Sequence, residues 1–204
     1  MKTAGTDDDA PDAPAYRRVQ QANQAQIVSK LLHDLRNPVH SLRIAIELFN
    51  RLAQPQADAK TLLPRAARYA PGAESALGAL TEQTERLAVY LGPPRRPSLQ
   101  PLAVNGCLEE AAFLLREAAQ PLEVEVRSRL SADVAALADR ARLSHALLAW
   151  TRQRSSKTLE AYEDDEGVWI AVGDAAAPEA DVRTLLESAG GRLAADGRFV
   201  FKRA

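Results

Sequence analysis

A run of regularly spaced apolar residues between Val28 and Phe49 constrains the fold more than any other feature of the sequence. These residues follow one another at steps of four and three, at Val28, Leu32, Leu35, Val39, Leu42, Ile46 and Phe49. Such spacing is typical of a helix that packs in a bundle. We therefore predict a first helix from about Tyr16 to about Ala53.

A second apolar row predicts a second helix over residues 73–92. Its members are Leu77, Leu80, Thr84, Leu87 and Leu91. The segment between the helices, residues 54–72, contains Pro55, Pro64 and Pro71, which favours a less regular connection, within which the strings KTLL and RAARYA can each form a helical turn. Because two antiparallel helices have too little surface to bury both rows, we expect a homodimer that forms a four-helix bundle.

Polar residues beside the first apolar row share one helical face. His33 lies one residue off the row, and Arg36, Asn37 and His40 follow it at three, four and seven residues. Pro38 lies inside the run, where a proline removes a backbone hydrogen bond, so we expect a bend beside His33. A single helical histidine is usually an ordinary polar residue. The complete string HDLRNP, with an acid after the histidine and a proline in mid-helix, favours a functional site.

This string resembles the H-box of bacterial sensor histidine kinases, which lies in their dimerisation and histidine-phosphotransfer domain. The resemblance implies that His33 is a phospho-acceptor. It implies that Asp34 is its acid–base or orienting partner, and that Asn37 is an amide used in transfer or dephosphorylation. Pro38 corresponds to the structural proline of the family string.

The segment GPPRRPS at residues 92–98 reads as a linker, and after it the pattern becomes mixed helix and strand. We predict helices over 104–120, 138–154 and 181–191, strands over 122–130, 158–164 and 167–174, and a closing hairpin over 191–203. The domains are then an acidic disordered tail at 1–14, a helical hairpin at 15–92, a linker at 93–98 and an α/β domain at 99–204. The fold class is α + α/β.

The order of elements in residues 99–204 is similar to the ATP-binding domain of histidine kinases, but its nucleotide motifs are degenerate. Gln153 and Ala149 align with the family's asparagines, and Asp174 aligns with its adenine-reading aspartate. Alanines and Pro178 replace the first glycine box, and the second box and the ATP lid are missing. Backbone amides brought close by glycine, and a ligand for Mg²⁺, are what an ATP site requires. We therefore expect no intrinsic cofactor.

Composition excludes several other classes. The net charge of −1 gives no reason to expect nucleic acid or an anionic membrane as a partner. No apolar run approaches the length of a membrane span, and a single cysteine, Cys107, fits a reducing cytoplasm, where we expect it to be buried and inert. The three histidines and one cysteine lack metal-ligand spacing. We expect His145 to be an ordinary surface residue.

These features predict a histidine phosphotransferase of a two-component phosphorelay that moves phosphate between receiver domains and His33, with Mg²⁺ supplied by the receiver. The receiver is expected to dock below His33, where Ile44 lies three turns along the same face and off the apolar row. The expected docking residues are Arg36, His40, Arg43, Ile44 and Glu47. The alternatives are a receiver phosphatase that uses Asn37, a non-enzymatic adaptor and, last, an active histidine kinase.

Overall fold

The structure of the protein is a computed structural model, which describes residues 10–54, 58–132, 134–173 and 176–204. The chain forms two compact units, one of residues 29–88 and the other of the chain up to Val28 together with residues 89–204. The long first helix, α1 (Ala13–Leu52), contributes to both units. The architecture is α + β, as the sequence predicts. No helix in the described part of the chain is long and apolar enough to cross a membrane.

The unit of residues 29–88 is made of the second part of α1 and most of α2 (Ala59–Leu91). The irregular connection predicted over residues 54–72 is wrong from Ala59 onward, because α2 runs through Pro64 and Pro71. Both prolines are exposed and lie seven residues apart, on one face of the helix. The backbone carbonyls that they leave unpaired can therefore bond water there, which reduces the cost of each proline.

Two neighbouring rows of residues on α1 differ in burial. Leu31, Pro38 and Ala45, spaced by seven, are buried. The row displaced by one residue belongs to the predicted apolar row, and it is exposed: Leu32 by 56%, Val39 by 52% and Ile46 by 57%. The hairpin thus buries one row of α1 and leaves an apolar row uncovered in the protomer.

In its described residues, the other unit contains a five-stranded sheet, a two-stranded sheet, three complete helices and the start of α1. The larger sheet has the order β2-β4-β5-β7-β6, in which β2 and β4 are parallel and the remaining pairs are antiparallel. A small antiparallel sheet joins β1 to β3. The elements in chain order are β1 (Gln100–Ala103), α3 (Val104–Arg116), β2 (Glu125–Ser128), β3 (Ala135–Ala138), α4 (Arg140–Gln153), β4 (Thr158–Asp164), β5 (Gly167–Val172), α5 (Ala180–Ser188), β6 (Gly191–Leu193) and β7 (Phe199–Phe201).

The apolar core of this unit lies between the five-stranded sheet and the helices. All six residues of β5 are buried, and α4 is buried continuously from Arg142 to Thr151. Cys107 on α3 is buried as expected, and burial raises the pKa of its thiol to about 12, which makes it inert. The predicted strands over 158–164 and 167–174 are confirmed as β4 and β5, and β5 ends at Val172.

The beginning of α1 packs in this unit, which corrects two sequence predictions. The side chain of Arg142 donates to both carboxylate oxygens of Asp12, at 2.6 and 3.0 Å, and both residues are buried. The disordered tail predicted for residues 1–14 is therefore wrong for residues 10–14, whereas residues 1–9 lie outside the described part. The boundary also differs from the predicted 15–92 and 99–204, because these contacts unite the start of α1 with α4.

His145 on α4 is fully buried, so its predicted surface position is wrong. Asn23 of α1 donates its side-chain amide to His145 Nδ1 at 3.0 Å and to the His145 carbonyl at 2.9 Å. Tyr16 and Tyr90 meet the imidazole ring edge to face. Burial lowers the pKa of His145 to about 4, so the ring is neutral. This histidine is a packing residue of the contact between α1 and α4.

Candidate functional site

His33 projects from the exposed side of α1 in the unit of residues 29–88. Its side chain is 63% exposed, and its Nδ1 atom lies 3.6 Å from Oδ1 of Asp34. This distance is longer than a hydrogen bond. The ring edge that carries Nε2 is therefore the one left for a reaction partner in solution.

Asp34 is less exposed than its neighbour and is held by a second residue. Its side chain is 18% exposed, and Nζ of Lys30, one turn earlier on the helix, lies 3.0 Å from Oδ1. A lysine and an aspartate four residues apart are neighbours on a helix surface. Lys30 consequently keeps the Asp34 carboxylate beside the histidine.

The remaining members of the string take the positions that the helical spacing predicts. Arg36, Asn37 and His40 are exposed, while Pro38 is buried. The helix continues through Pro38 to Leu52. Proline has no amide hydrogen, so the Asp34 carbonyl has no donor at the residue four positions on. The hydroxyl of Ser41, one turn later, donates to the Asn37 carbonyl at 3.2 Å.

The expected docking residues further along α1 lie on the surface, but Ile44 is less exposed than expected. Arg43 and Glu47 are exposed and form an ion pair, with Nε of Arg43 3.4 Å from Oε1 of Glu47. Ile44, expected to be exposed, is half-buried because it lines a cleft between α1 and α2. Ile44 lies about 16 Å from His33 along the helix axis, at 1.5 Å per residue.

That cleft contains basic residues that the sequence interpretation did not single out. Its volume is about 390 Å³, and it is lined by Ile44, Glu47, Leu48, Arg51, Arg65, Arg68 and Tyr69. Three of these residues lie on the part of α2 that the sequence interpretation treated as an irregular connection. The signal was present in the string RAARY, since residues at steps of three and four share a face once the segment is helical.

In the α/β unit, the residues aligned with nucleotide ligands are engaged with the protein itself. The Gln153 side-chain amide donates to Oε2 of Glu179 at 3.0 Å, and Ala149 is buried on α4. Arg154 donates to the carbonyl of Ala176. Asp174 lies outside the described residues. Among the described residues, no three His, Cys, Asp or Glu side chains come together in a way that could hold a metal ion.

The comparisons with known proteins give little beyond these residues. No protein-family model matches the chain, and no curated protein matches it. Among solved structures, the histidine kinase AdeS of Acinetobacter baumannii is similar at 14% identity and a TM-score of 0.39, over 83% of this chain and 94% of that one. A likeness at this level identifies neither a family nor an activity, so both have to be inferred from the chain's own residues.

Proposed function

We propose that this protein is a histidine phosphotransferase that exchanges a phosphoryl group between His33 and the aspartate of a response-regulator receiver domain. The observation that carries the proposal is the exposed imidazole of His33 beside the Asp34 carboxylate, within the string HDLRNP. Imidazole is neutral and nucleophilic near pH 7, which suits it to accept a phosphoryl group.

The geometry of His33 and Asp34 supports a simple order of bond changes. In the proposed complex with the receiver, the Nδ1–H group of His33 donates a hydrogen bond to Asp34, and this leaves the Nε2 lone pair free to attack phosphorus. The bond between Nε2 and phosphorus forms as the bond between phosphorus and the receiver's aspartate oxygen breaks, and the electron pair of that bond stays on the aspartate. Asp34 stabilises the positive charge that the ring acquires. The receiver brings Mg²⁺, which neutralises the phosphoryl oxygens.

The docking surface in this proposal is the exposed face of α1 below His33. It comprises Arg36, His40, Arg43, Ile44 and Glu47, of which all except the half-buried Ile44 are exposed. Because the residues follow one another at helical steps over three to four turns, a receiver that reaches His33 can contact them without any change in α1.

The exposed apolar row supports a homodimer as the working form. Leu32, Val39, Ile46 and, at 51% exposure, Phe49 present a continuous apolar strip on a helix that already buries another row. An uncovered strip of this kind marks an association surface. A second copy has the same strip, so a two-fold contact would bury both and complete a four-helix bundle.

The α/β unit is proposed to act without ATP. Gln153 aligns with the Mg²⁺-binding asparagine of the resembled family, but its side-chain amide donates to Glu179. The side chain of Ala149 has no polar atom. If no side chain at this position holds Mg²⁺, the negative charge on the phosphates of a bound nucleoside triphosphate would not be neutralised. The phosphoryl group is therefore expected to come from a receiver.

The test follows radiolabel from a phosphorylated receiver, and in parallel from labelled ATP, onto the wild-type protein and His33→Ala. Ser29→Ala, one turn earlier at an exposed position of α1, is the matched control. Label that arrives from the receiver, does not arrive from ATP and is lost only in His33→Ala supports the proposal.

Other outcomes would contradict the proposed phosphotransferase function in different ways. Label taken from ATP would overturn the proposal that the α/β unit acts without nucleotide. Loss of receiver phosphate without labelled protein would indicate the phosphatase, for which Asn37, exposed one turn from His33, could position a water molecule. Receiver binding without either reaction would indicate an adaptor.

A further inference from the structure

The cleft between α1 and α2 is lined by three arginines and one glutamate, in a protein with a net charge of −1. Arg51 approaches it from α1, and Arg65 and Arg68 approach it from α2, together with the side chain of Tyr69. All four residues are exposed. Three guanidinium groups that cannot lose their protons thus share a space of about 390 Å³.

These arginines have no anionic partner among the described residues. Several other surface arginines lie beside a carboxylate, as Arg43 does with Glu47 and Arg127 with Glu125. Glu47 is the one acidic residue that lines the cleft, and it is already engaged by Arg43. Like charges that converge without compensation repel one another, so this arrangement favours an anionic occupant.

The shape and lining of the cleft indicate which anion it suits. Its apolar part is formed by Ile44 and Leu48, both half-buried, and its rim carries guanidinium groups and the Tyr69 side chain. Arginine binds carboxylates through two parallel hydrogen bonds, and tyrosine and arginine are enriched at the centres of protein interfaces. A partly apolar floor with a basic rim fits a protein segment with acidic side chains.

We infer that the cleft formed by Ile44, Leu48, Arg51, Arg65, Arg68 and Tyr69 binds an acidic surface segment of the receiver domain that engages His33. This inference rests on the proposed function. Arg51 lies 18 residues beyond His33 on α1, which corresponds to about 27 Å, close to the diameter of a small domain. One receiver can therefore contact His33 and the cleft together. The acidic segment lies apart from the receiver's phosphorylated aspartate.

The cleft attracts the receiver by charge, so its contribution depends on salt. Complementary charges at an interface raise the rate of association, and dissolved ions screen that attraction. The test measures label transfer to His33 at low receiver concentration, across a series of sodium chloride concentrations. The variant is Arg65→Gln with Arg68→Gln, since glutamine keeps the helix propensity of these exposed positions. Arg51→Gln is the second variant, on the other helix.

The matched control is Arg96→Gln with Arg183→Gln, which removes the same charge from exposed positions of the other unit. At low salt we expect transfer to the Arg65/Arg68 variant to be about tenfold slower than to the wild type, with convergence as salt increases. The control is expected to follow the wild-type salt dependence. Circular dichroism checks that both double variants remain helical.

Failure of this inference is distinguishable from failure of the proposed function. If the wild type is labelled at His33 and the Arg65/Arg68 variant matches it at every salt concentration, the cleft inference is overturned and phosphotransfer stands. An equal loss in the variant and the control would assign the effect to net charge and would also overturn it. If the wild type takes no label from any receiver, the receiver is not the occupant and both proposals fall.

Discussion

The two ends of helix α1 use polar and apolar residues in opposite ways. Near its beginning, Asp12 and Asn23 are buried, and each makes hydrogen bonds to α4. In its second part, His33, Asn37 and His40 are exposed, and so are apolar residues such as Val39 and Ile46. One continuous helix therefore has an end whose polar side chains are buried and hydrogen-bonded inside the protomer and an end whose polar and apolar side chains are exposed.

This difference separates residues that stabilise the fold from residues available for chemistry. A buried polar group is stable only when its hydrogen bonds are satisfied, and Asp12, Asn23 and Arg142 meet that condition. An exposed group such as His33 contributes little to the fold, so it is free to react. A histidine occurs in each environment, and the contrast between His145 and His33 can be tested directly.

The largest expected effect comes from the buried ion pair. Asp12→Ala removes the carboxylate that faces Arg142 and leaves a buried guanidinium with fewer partners. The free energy of unfolding should fall by about 3–5 kcal/mol in chemical denaturation. Arg18→Ala is the control, because Arg18 of α1 forms an exposed bidentate pair with Asp181 of α5. Equal losses in the two variants would contradict the contrast between buried and exposed pairs.

The next effect is a pH dependence of stability that belongs to His145. Burial lowers the pKa of this residue to about 4 in the folded state, whereas its ordinary value is 6.5. Between these values the unfolded chain binds a proton that the folded chain does not. Stability is therefore complete above about pH 6.5 and falls by about 3 kcal/mol as the pH decreases towards 4.

The structure also explains why protonation is unfavourable at this position. Asn23 donates a hydrogen bond to Nδ1 of His145. If Nδ1 were protonated, two hydrogen-bond donors would point at each other. The nearby positive charge of Arg152 further lowers the pKa. Urea denaturation between pH 4 and 7 on the wild type and His145→Gln measures the effect. If both show the same slope, other groups are responsible for the pH dependence.

Elements with strong local patterns could be predicted from the sequence, and elements defined by distant contacts could not. Strand β4 has the predicted bounds, since alternation and the following turn are local signals. Strand β3 was missed because AALA lacks the β-branched residues typical of strands and exists through pairing with β1. Strand β1 contains Pro101, which argues against a strand in a local interpretation.

The same distinction applies to the site residues. The face of His33, Arg36, Asn37 and His40 follows from helical spacing alone, and the structure places all four on the surface. The burial of Asp12 depends on Arg142, which is 130 residues away in the sequence, so no local sequence pattern predicts that burial. The arginine cleft was missed for another reason: prolines argued against the helix that brings Arg65 and Arg68 together.

A smaller effect is expected in the second part of α1, where Asp34→Asn tests the proposed role of the acid. Asparagine keeps an acceptor oxygen beside the His33 ring and removes the negative charge that stabilises the protonated ring. Label transfer from a phosphorylated receiver should become about 100-fold slower, with receiver binding unchanged. Rapid-quench labelling together with a binding titration checks both quantities. Unchanged transfer would show that Asp34 has no part in the reaction.

The smallest effect concerns the exposed apolar row, which is the feature that most separates the two ends of α1. Ile46→Ala removes part of an apolar side chain that is 57% exposed in the protomer and would be buried in the proposed dimer. The loss of about 1 kcal/mol per copy occurs twice across a two-fold interface, and raises the dimer dissociation constant about thirtyfold.

Sedimentation equilibrium measures that constant, and Leu31→Ala is the informative comparison. Leu31 is fully buried within the protomer, so its truncation should lower the stability of the protomer itself. The exposed Ile46 should instead affect association and leave the protomer's unfolding nearly unchanged. If Ile46→Ala leaves the dissociation constant unchanged, or if the wild type is monomeric, the row has another role. The second part of α1 would then be uncovered for the receiver alone, without a second copy of the chain.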